Sequence, residues 1–280
     1  MQRCDAFILG ARGRLGSALA GSLHLRRSIT LDRLDYSPWT REKAADEVAS
    51  YFERRAARTP DAWVLVATGI TDPARSRDEH DRVNYVLARN VVEGARRCGL
   101  KVATFGSIME RFVGDPGYNP YVASKIRLAN FVEDLSAREG GVIHIRIHTL
   151  YGGGRPSEHM FLGQIYDAIV RKVPFEMSKG AQLREYHHVA DEVSAIVQLL
   201  HSDTKGAFDL NHGQPIRLCD LATHIFAAFG CLDKLHVGAR PMTRPENLDI
   251  VFSRSPVIRD IDFRDTCPAI VEYLRSFVDR

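Results

Sequence analysis

The 280-residue sequence has no run of about eighteen consecutive apolar residues, so nothing in it reads as a membrane-spanning helix. Its formal charge of +3 is scattered rather than gathered into a basic tract, and neither nucleic acid nor a membrane surface is an expected partner. Cysteine is sparse. Cys4, Cys98, Cys219, Cys231 and Cys267 form no CxxC pair and have no histidine at metal-ligand spacing, so reduced thiols without a catalytic role are expected. His187 and His188 are adjacent and would point to different faces of a helix or strand, and no metal site is expected from them. The opening MQRCDAFILG passes straight into a strand-like run without a signal-peptide pattern, which makes a cytoplasmic protein the expectation. Internal repeats and low-complexity stretches are also missing.

What is present is enough apolar residue, 45%, to fill a large core, and a regular alternation of element types. DAFILGA (5–11), SITLDRL (28–34), AWVLVATG (62–69), KVATFGS (101–107) and VIHIRIHTLYG (142–152) read as strands. Between them RLGSALAGSL (14–23), TREKAADEVASYFERRA (40–56), EHDRVNYVLARNVVEGARRCG (79–99) and YNPYVASKIRLANFVE (118–133) carry helical periodicity. This predicts the α/β class, with a doubly wound parallel sheet over residues 1–152. Beyond 153 the pattern turns irregular, and residues 153–280 are expected to form mainly a small second lobe, with some segments returning to the sheet.

Two stretches carry chemistry. Gly10, Gly13 and Gly16 lie between the first strand and the first helix, where a tight turn brings backbone N–H groups and the helix start close to a pyrophosphate. Gly10, Arg12, Gly13, Arg14, Leu15 and Gly16 are therefore candidate dinucleotide contacts. Tyr121 and Lys125, four positions apart on a predicted helix, stack on one face and reach one pocket. A phenol is a poor acid-base group at neutral pH, and a neighbouring ammonium stabilises its ionised form.

The glycine spacing G-x-x-G-x-x-G resembles the short-chain dehydrogenase/reductase superfamily, whose catalytic pair is Tyr-x-x-x-Lys preceded by a serine or threonine at a strand end. Ser107 follows KVATFG in that place. The resemblance implies a Rossmann-type fold, catalytic Ser107, Tyr121 and Lys125, and dinucleotide contacts at Ala67, Thr68, Gly69 and Asn84, with Lys125 holding the nicotinamide ribose. LREYHHVADEVSAI (183–196), RIHTLYGGG (146–154) and GAFDLNHGQPIRLCDLATHI (206–225) are similar to the extended branch that acts on nucleotide-activated sugars. That similarity implies a nucleotide-diphosphate sugar as substrate. Arg184 would contact its phosphate; Ser107, His148, Met160 and Phe161 would be substrate contacts, with His159 and Tyr151 beside them. A homodimer built on helices 79–99 and 118–133 is implied as well.

An acidic group at the end of the second strand binds the NAD ribose, whereas arginines there pair with the NADP 2′-phosphate. Asp32 fits the first, and Arg33 and Arg12 fit the second. The passage TLDRLDYSPWTREKAADEV also looks like NADPH-using 4-keto-sugar reductases, with Asp35 toward the adenine. NADP(H) is the favoured cofactor and NAD(H) the alternative. Sugar dehydratases carry an Asp-Glu pair directly after the serine or threonine. Here Ile108 and Met109 stand there, with Glu110 next, and dehydration is disfavoured. A nucleotide-linked 4-keto-6-deoxy sugar reductase for polysaccharide or O-antigen precursors is the leading expectation. A 4-epimerase with the same three residues, and a non-catalytic dinucleotide-binding regulator, are the alternatives.

Overall fold

The computed structural model describes residues 4–22, 24–72, 74–112, 119–242 and 247–278. The chain divides into two compact units, Met1–Ile147 with Val193–Leu210, and His148–Glu192 with Asn211–Arg280. Among the described residues no helix is long and apolar enough to cross a membrane.

The first unit is an α/β fold on a six-stranded sheet of order β10-β5-β4-β3-β1-β2, every neighbouring pair parallel. β1 (Asp5–Leu9) and β3 (Trp63–Val66) are apolar and buried throughout, as interior parallel strands covered on both faces must be. β2 (Arg27–Thr30) is the partly exposed edge. β4 (Lys101–Ser107), β5 (Val142–Ile147) and β10 (Gly206–Asp209) complete the sheet. α1 (Arg14–Ala20) follows β1 and α2 (Ala45–Ala56) follows β2. α2 begins later than its sequence pattern suggests, because Lys43 sits at φ 62°, a left-handed conformation through which no right-handed helix passes. Asp46 and Glu47 open it, and Arg54 and Arg55 close it, complementing the helix dipole. α3 (Arg77–His80) runs through a π-helical segment, Asp81–Leu87, into α4 (Ala88–Arg97). α5 (Pro120–Arg138) follows β4, and α7 (Val189–Leu200) precedes β10. Phe7, Leu9, Trp39, Phe52, Val64, Val91 and Leu128 form the core between sheet and helices.

Strand order reverses between β1 and β3, and in such sheets ligands bind beyond the C-terminal strand ends at that reversal. With this crossover pattern the first unit is a Rossmann-type fold.

The predicted strand 142–152 is two strands. The main-sheet pairing ends at Ile147, and β6 (Thr149–Tyr151) pairs with β9 (Tyr186–His188) instead. The second unit therefore starts at His148, earlier than the pattern change at 153. It contains α6 (Phe161–Arg171), β7 (Phe175–Met177), β8 (Leu183–Arg184), β11 (Ile216–Arg217), α8 (Leu218–Ala228), β12 (Leu235–Val237) and α9 (Thr266–Val278). β7 pairs with β12 and β8 with β11. Tyr151, Ile165, Phe175, Leu221, Phe226 and Leu274 form its core. The five cysteines are all unpaired.

Candidate active site

The glycine turn is a close-packed piece of backbone. Gly10 sits at φ 79°, and a Cβ on it would lie 2.7 Å from the Ala67 carbonyl at the end of β3. A Cβ on Gly16 would lie 2.1 Å from the Gly10 carbonyl oxygen, so the first turn of α1 presses directly on the loop. The Gly13 N–H closes the turn on Gly10 O at 2.9 Å. Next to it the Thr68 hydroxyl is buried without a partner among the described residues, an orphaned polar atom that a bound group would satisfy. These features fit a dinucleotide, with Gly10, Gly13, Gly16 and Thr68 as its holders. Gly16→Ala is expected to weaken NADPH binding by about tenfold or more, roughly 1.4 kcal/mol, in a fluorescence titration. Unchanged affinity would show that the turn yields without loss.

Around the end of β2, the Arg12 guanidinium donates to Asp32 O at 3.1 Å, and the Asp32 carboxylate accepts from Thr30 Oγ1 at 2.9 Å. Tyr36 accepts from Gly10 N at 3.4 Å and donates to Leu31 O at 2.6 Å, tying the turn to this strand. Arg33 and Asp35 are exposed, and Asp35 caps Ser37.

α5 delivers the Tyr-Lys pair. Asn119 caps it, its Oδ1 accepting from Tyr121 N at 3.0 Å and Val122 N at 3.4 Å, and Pro120 takes the first helical position, where no N–H is needed. Tyr118, the first residue of the predicted helix, lies outside the described residues. The Ser107 side chain is close enough to Tyr121 to pull its phenol pKa down. Lys125, 6% exposed, donates from Nζ to Phe105 O of β4 at 2.8 Å and lies beside Gly69. The structure thus brings Ser107, Tyr121 and Lys125 together, with Gly69 in the loop that packs on the glycine turn.

Sequence reading missed the network beneath Ser107. Ser107 and Glu110 form a reciprocal capping box: Glu110 Oε1 accepts from Ser107 N at 2.7 Å, and Ser107 Oγ accepts from Met109 N at 3.2 Å. The S-x-x-E spacing was the available signal. Glu110 Oε2 also accepts from Arg146 Nε at 2.8 Å, and both its oxygens lie 3.3 Å from His144 Nε2. His144 Nδ1 is 2.8 Å from Thr104 Oγ1, and Arg146 reaches Asp209 at 3.1 Å. Burial alone would raise the Glu110 carboxyl, but His144, Ser107 N–H and Arg146 outweigh it and hold it below the usual range. Burial and the Glu110 charge push the Tyr121 phenol up to about 12, against the opposing influence of the Ser107 side chain. Burial also lowers the Lys125 ammonium to about 8, with Glu110 opposing the shift.

Asn84, also expected at the cofactor, is 1% exposed. Its Oδ1 accepts from Ile70 N at 2.8 Å, and its Nδ2 meets Ile70 O, His80 Nδ1 and Ser124 Oγ at 3.0–3.2 Å, so it braces the loop after β3 against α5. The remaining expected substrate contacts belong to the second unit. Tyr151 is in its core, 1% exposed. Met160 is exposed at the start of α6, Phe161 packs on Phe175, and Arg184 donates to Leu183 O. His159 is exposed, and His148 is drawn into a buried group of histidines and carboxylates.

A model of the NAD dependent epimerase/dehydratase family matches residues 6–211. Solved structures similar to the chain include a dTDP-4-dehydrorhamnose reductase from Bacillus anthracis in complex with NADP (20% identity, 99% and 98% of the two chains covered, TM-score 0.70). Others are a UDP-N-acetylglucosamine 4-epimerase from Methanobrevibacter ruminantium in complex with UDP-N-acetylmuramic acid (15%, 100% and 98%, 0.73) and a dTDP-glucose 4,6-dehydratase from Streptomyces venezuelae with NAD bound (13%, 99% and 97%, 0.75). A comparison with curated protein sequences found no match.

Proposed function

The chain belongs to the NAD dependent epimerase/dehydratase family, and on that premise we propose that it is an NADPH-dependent reductase of a nucleotide-linked 4-keto-6-deoxy sugar. The observation that carries this reading is the state of Glu110. It is the acidic side chain nearest in sequence after Ser107, and it is spent on Ser107 N–H, His144 and Arg146. No acidic group stands at 108 or 109, where sugar dehydratases carry their acid-base pair. What remains is a protonated phenol, a serine hydroxyl and an ammonium, the set a carbonyl reduction uses.

When bound, the nicotinamide supplies hydride to the carbonyl carbon. Ser107 and Tyr121 hydrogen-bond the ketone oxygen and stabilise the charge that develops on it. The Tyr121 hydroxyl proton passes to that oxygen, and solvent reprotonates the phenolate. Lys125 lowers the cost of the phenolate and holds the ribose. Arg12 over the end of β2 favours the 2′-phosphate of NADP. Similarity to a dTDP-4-dehydrorhamnose reductase and to a UDP-sugar epimerase supports a nucleotide sugar as substrate.

The Asp32 carboxylate in the same place favours a second reading, a 4-epimerase that retains NAD. Binding of NADPH and NADH to purified protein separates them. The reductase is expected to prefer NADPH by tenfold or more and to exchange it freely. Tightly retained NAD that survives purification would overturn it in favour of the epimerase.

A further inference from the structure

His148, Glu185 and His187 bring three donor atoms together inside the second unit, each side chain no more than 6% exposed. His187 Nε2 lies 3.1 Å and His148 Nε2 3.7 Å from Glu185 Oε2, and all three atoms fall within 4.8 Å of one another. A triangle of such edges has a point within about 2.4 Å of every corner, close to the ~2.0–2.2 Å that zinc keeps from imidazole and carboxylate ligands.

The surroundings differ from those of an ordinary buried ion pair. Glu192 Oε2 accepts from His187 Nδ1 at 2.5 Å, the carboxylate-histidine arrangement that fixes a ligating ring with Nε2 turned inward. Glu185 is itself positioned: its Oε2 accepts from His212 N at 2.8 Å and its Oε1 from Gly213 N at 3.3 Å. Asn211 Oδ1 stands 2.7 Å from His148 Nε2. Phe252 packs on His148, and Phe263 on His187 and His212, so aromatic rings cover part of the cluster. These donors come from three separate stretches of chain, around residues 148, 185–192 and 211–213.

We propose that His148, Glu185 and His187 form a site for a divalent transition-metal ion, with Asn211 as a further oxygen donor and Glu192 orienting His187. Two imidazoles with one carboxylate suit zinc best among common divalent ions. His187 lies between two carboxylates, its Nδ1 2.5 Å from Glu192 Oε2 and its Nε2 3.1 Å from Glu185 Oε2. Loading would place the ring protons of His187 and His148 on Nδ1, any displaced proton going to solvent, so that both Nε2 lone pairs face the cation. Glu185 Oε2 keeps the His212 N–H and gives its other lone pair to the ion. The bound ion would pin β9, the start of β6 and the 211–213 segment to one another.

Chelator-treated protein dialysed against zinc chloride is expected to retain one zinc per chain by mass spectrometry. Cobalt(II) in its place should show the intense visible bands of a low-symmetry site. Zinc is expected to raise the wild-type melting temperature. His148→Gln should lose zinc affinity by at least about 10–100-fold and lose that melting shift, Glu192→Gln should lose about tenfold, and the exposed-site control His236→Gln should change neither. Sub-stoichiometric zinc in the wild type, or wild-type affinity in His148→Gln, would overturn the proposal. His187→Gln is the stronger lesion. Should it fail to fold, His148→Gln decides the matter, its fold checked by near-ultraviolet circular dichroism.

Discussion

Tyr121→Phe is expected to lower turnover by about 10²–10⁴-fold, the usual contribution of a positioned general acid, while NADPH affinity stays within about threefold of wild type. The substitution removes one hydroxyl and keeps the ring, so α5 and its Asn119 cap should be undisturbed. In the wild type this phenol is protonated at all ordinary pH values, because burial and Glu110 push it up to about 12. It is therefore ready to donate, and no other titratable hydroxyl neighbours Ser107 among the described contacts. Stopped-flow measurement of NADPH oxidation with a 4-keto sugar nucleotide separates the chemical step from binding. Retention of more than a tenth of wild-type turnover would remove Tyr121 from the proton-donor role.

Glu110→Gln should have the second largest effect, and it should act on stability and on the pH profile together. The change breaks a buried pair whose Glu110 side chain is 1% exposed. The expected loss is about 3 kcal/mol, the low end of the ~3–5 kcal/mol for such a break, because Arg146 keeps Asp209. The folded-state Glu110 pKa is lowered, so its contribution is fully present above the ordinary carboxylate pKa and disappears as pH falls through the folded value. The stability gap between wild type and variant should therefore close in acid. Activity moves at the other end of the scale. Lys125 loses its charge through about 8, so reduction by the wild type should fall above that pH. Without the Glu110 charge the ammonium is less supported, and the falling limb should shift to lower pH. Denaturant melts across pH and a kcat profile check the two halves. An unshifted limb would mean that Glu110 acts only as a brace.

The parallel α/β sheet was legible because buried strands such as AFIL and WVLV are short apolar runs, whereas the order of strands across the sheet, with β10 at its edge, comes from pairings that no local run carries. The glycine turn and the Tyr121–Lys125 spacing are equally local, each set by a few neighbouring positions. What local pattern cannot carry is a change of partner. The apolar alternation of VIHIRIHTLYG continues smoothly through His148, although the hydrogen-bonding partner changes from β4 to β9 there. Nor can it carry convergence across the chain. Adjacent His187 and His188 do face apart, as the spacing indicates, yet His187 finds Glu185, Glu192 and the ring of His212 through the fold. Asn84 is expected at the cofactor because it matches an asparagine that the resembled superfamily carries on the helix before the serine strand. Its bonds to Ile70, His80 and Ser124 join distant stretches that no local pattern brings together.

The network beneath Ser107 also limits how this turn can diverge. A Cβ on Gly106 would lie 2.1 Å from Glu110 Oε1 and 2.2 Å from His144 Nε2, so any side chain at 106 must push Glu110 or His144 out of their shared hydrogen bond. An apolar residue at 110 would take one carboxylate partner from Arg146, leaving it Asp209, and one from His144, leaving it Thr104, and an apolar residue at 144 would leave Glu110 with one partner fewer. Each single step toward an apolar version of the turn passes through a less stable protein. Lineages that carry this arrangement should then be found to keep or exchange Gly106, Glu110, His144 and Arg146 as a linked set.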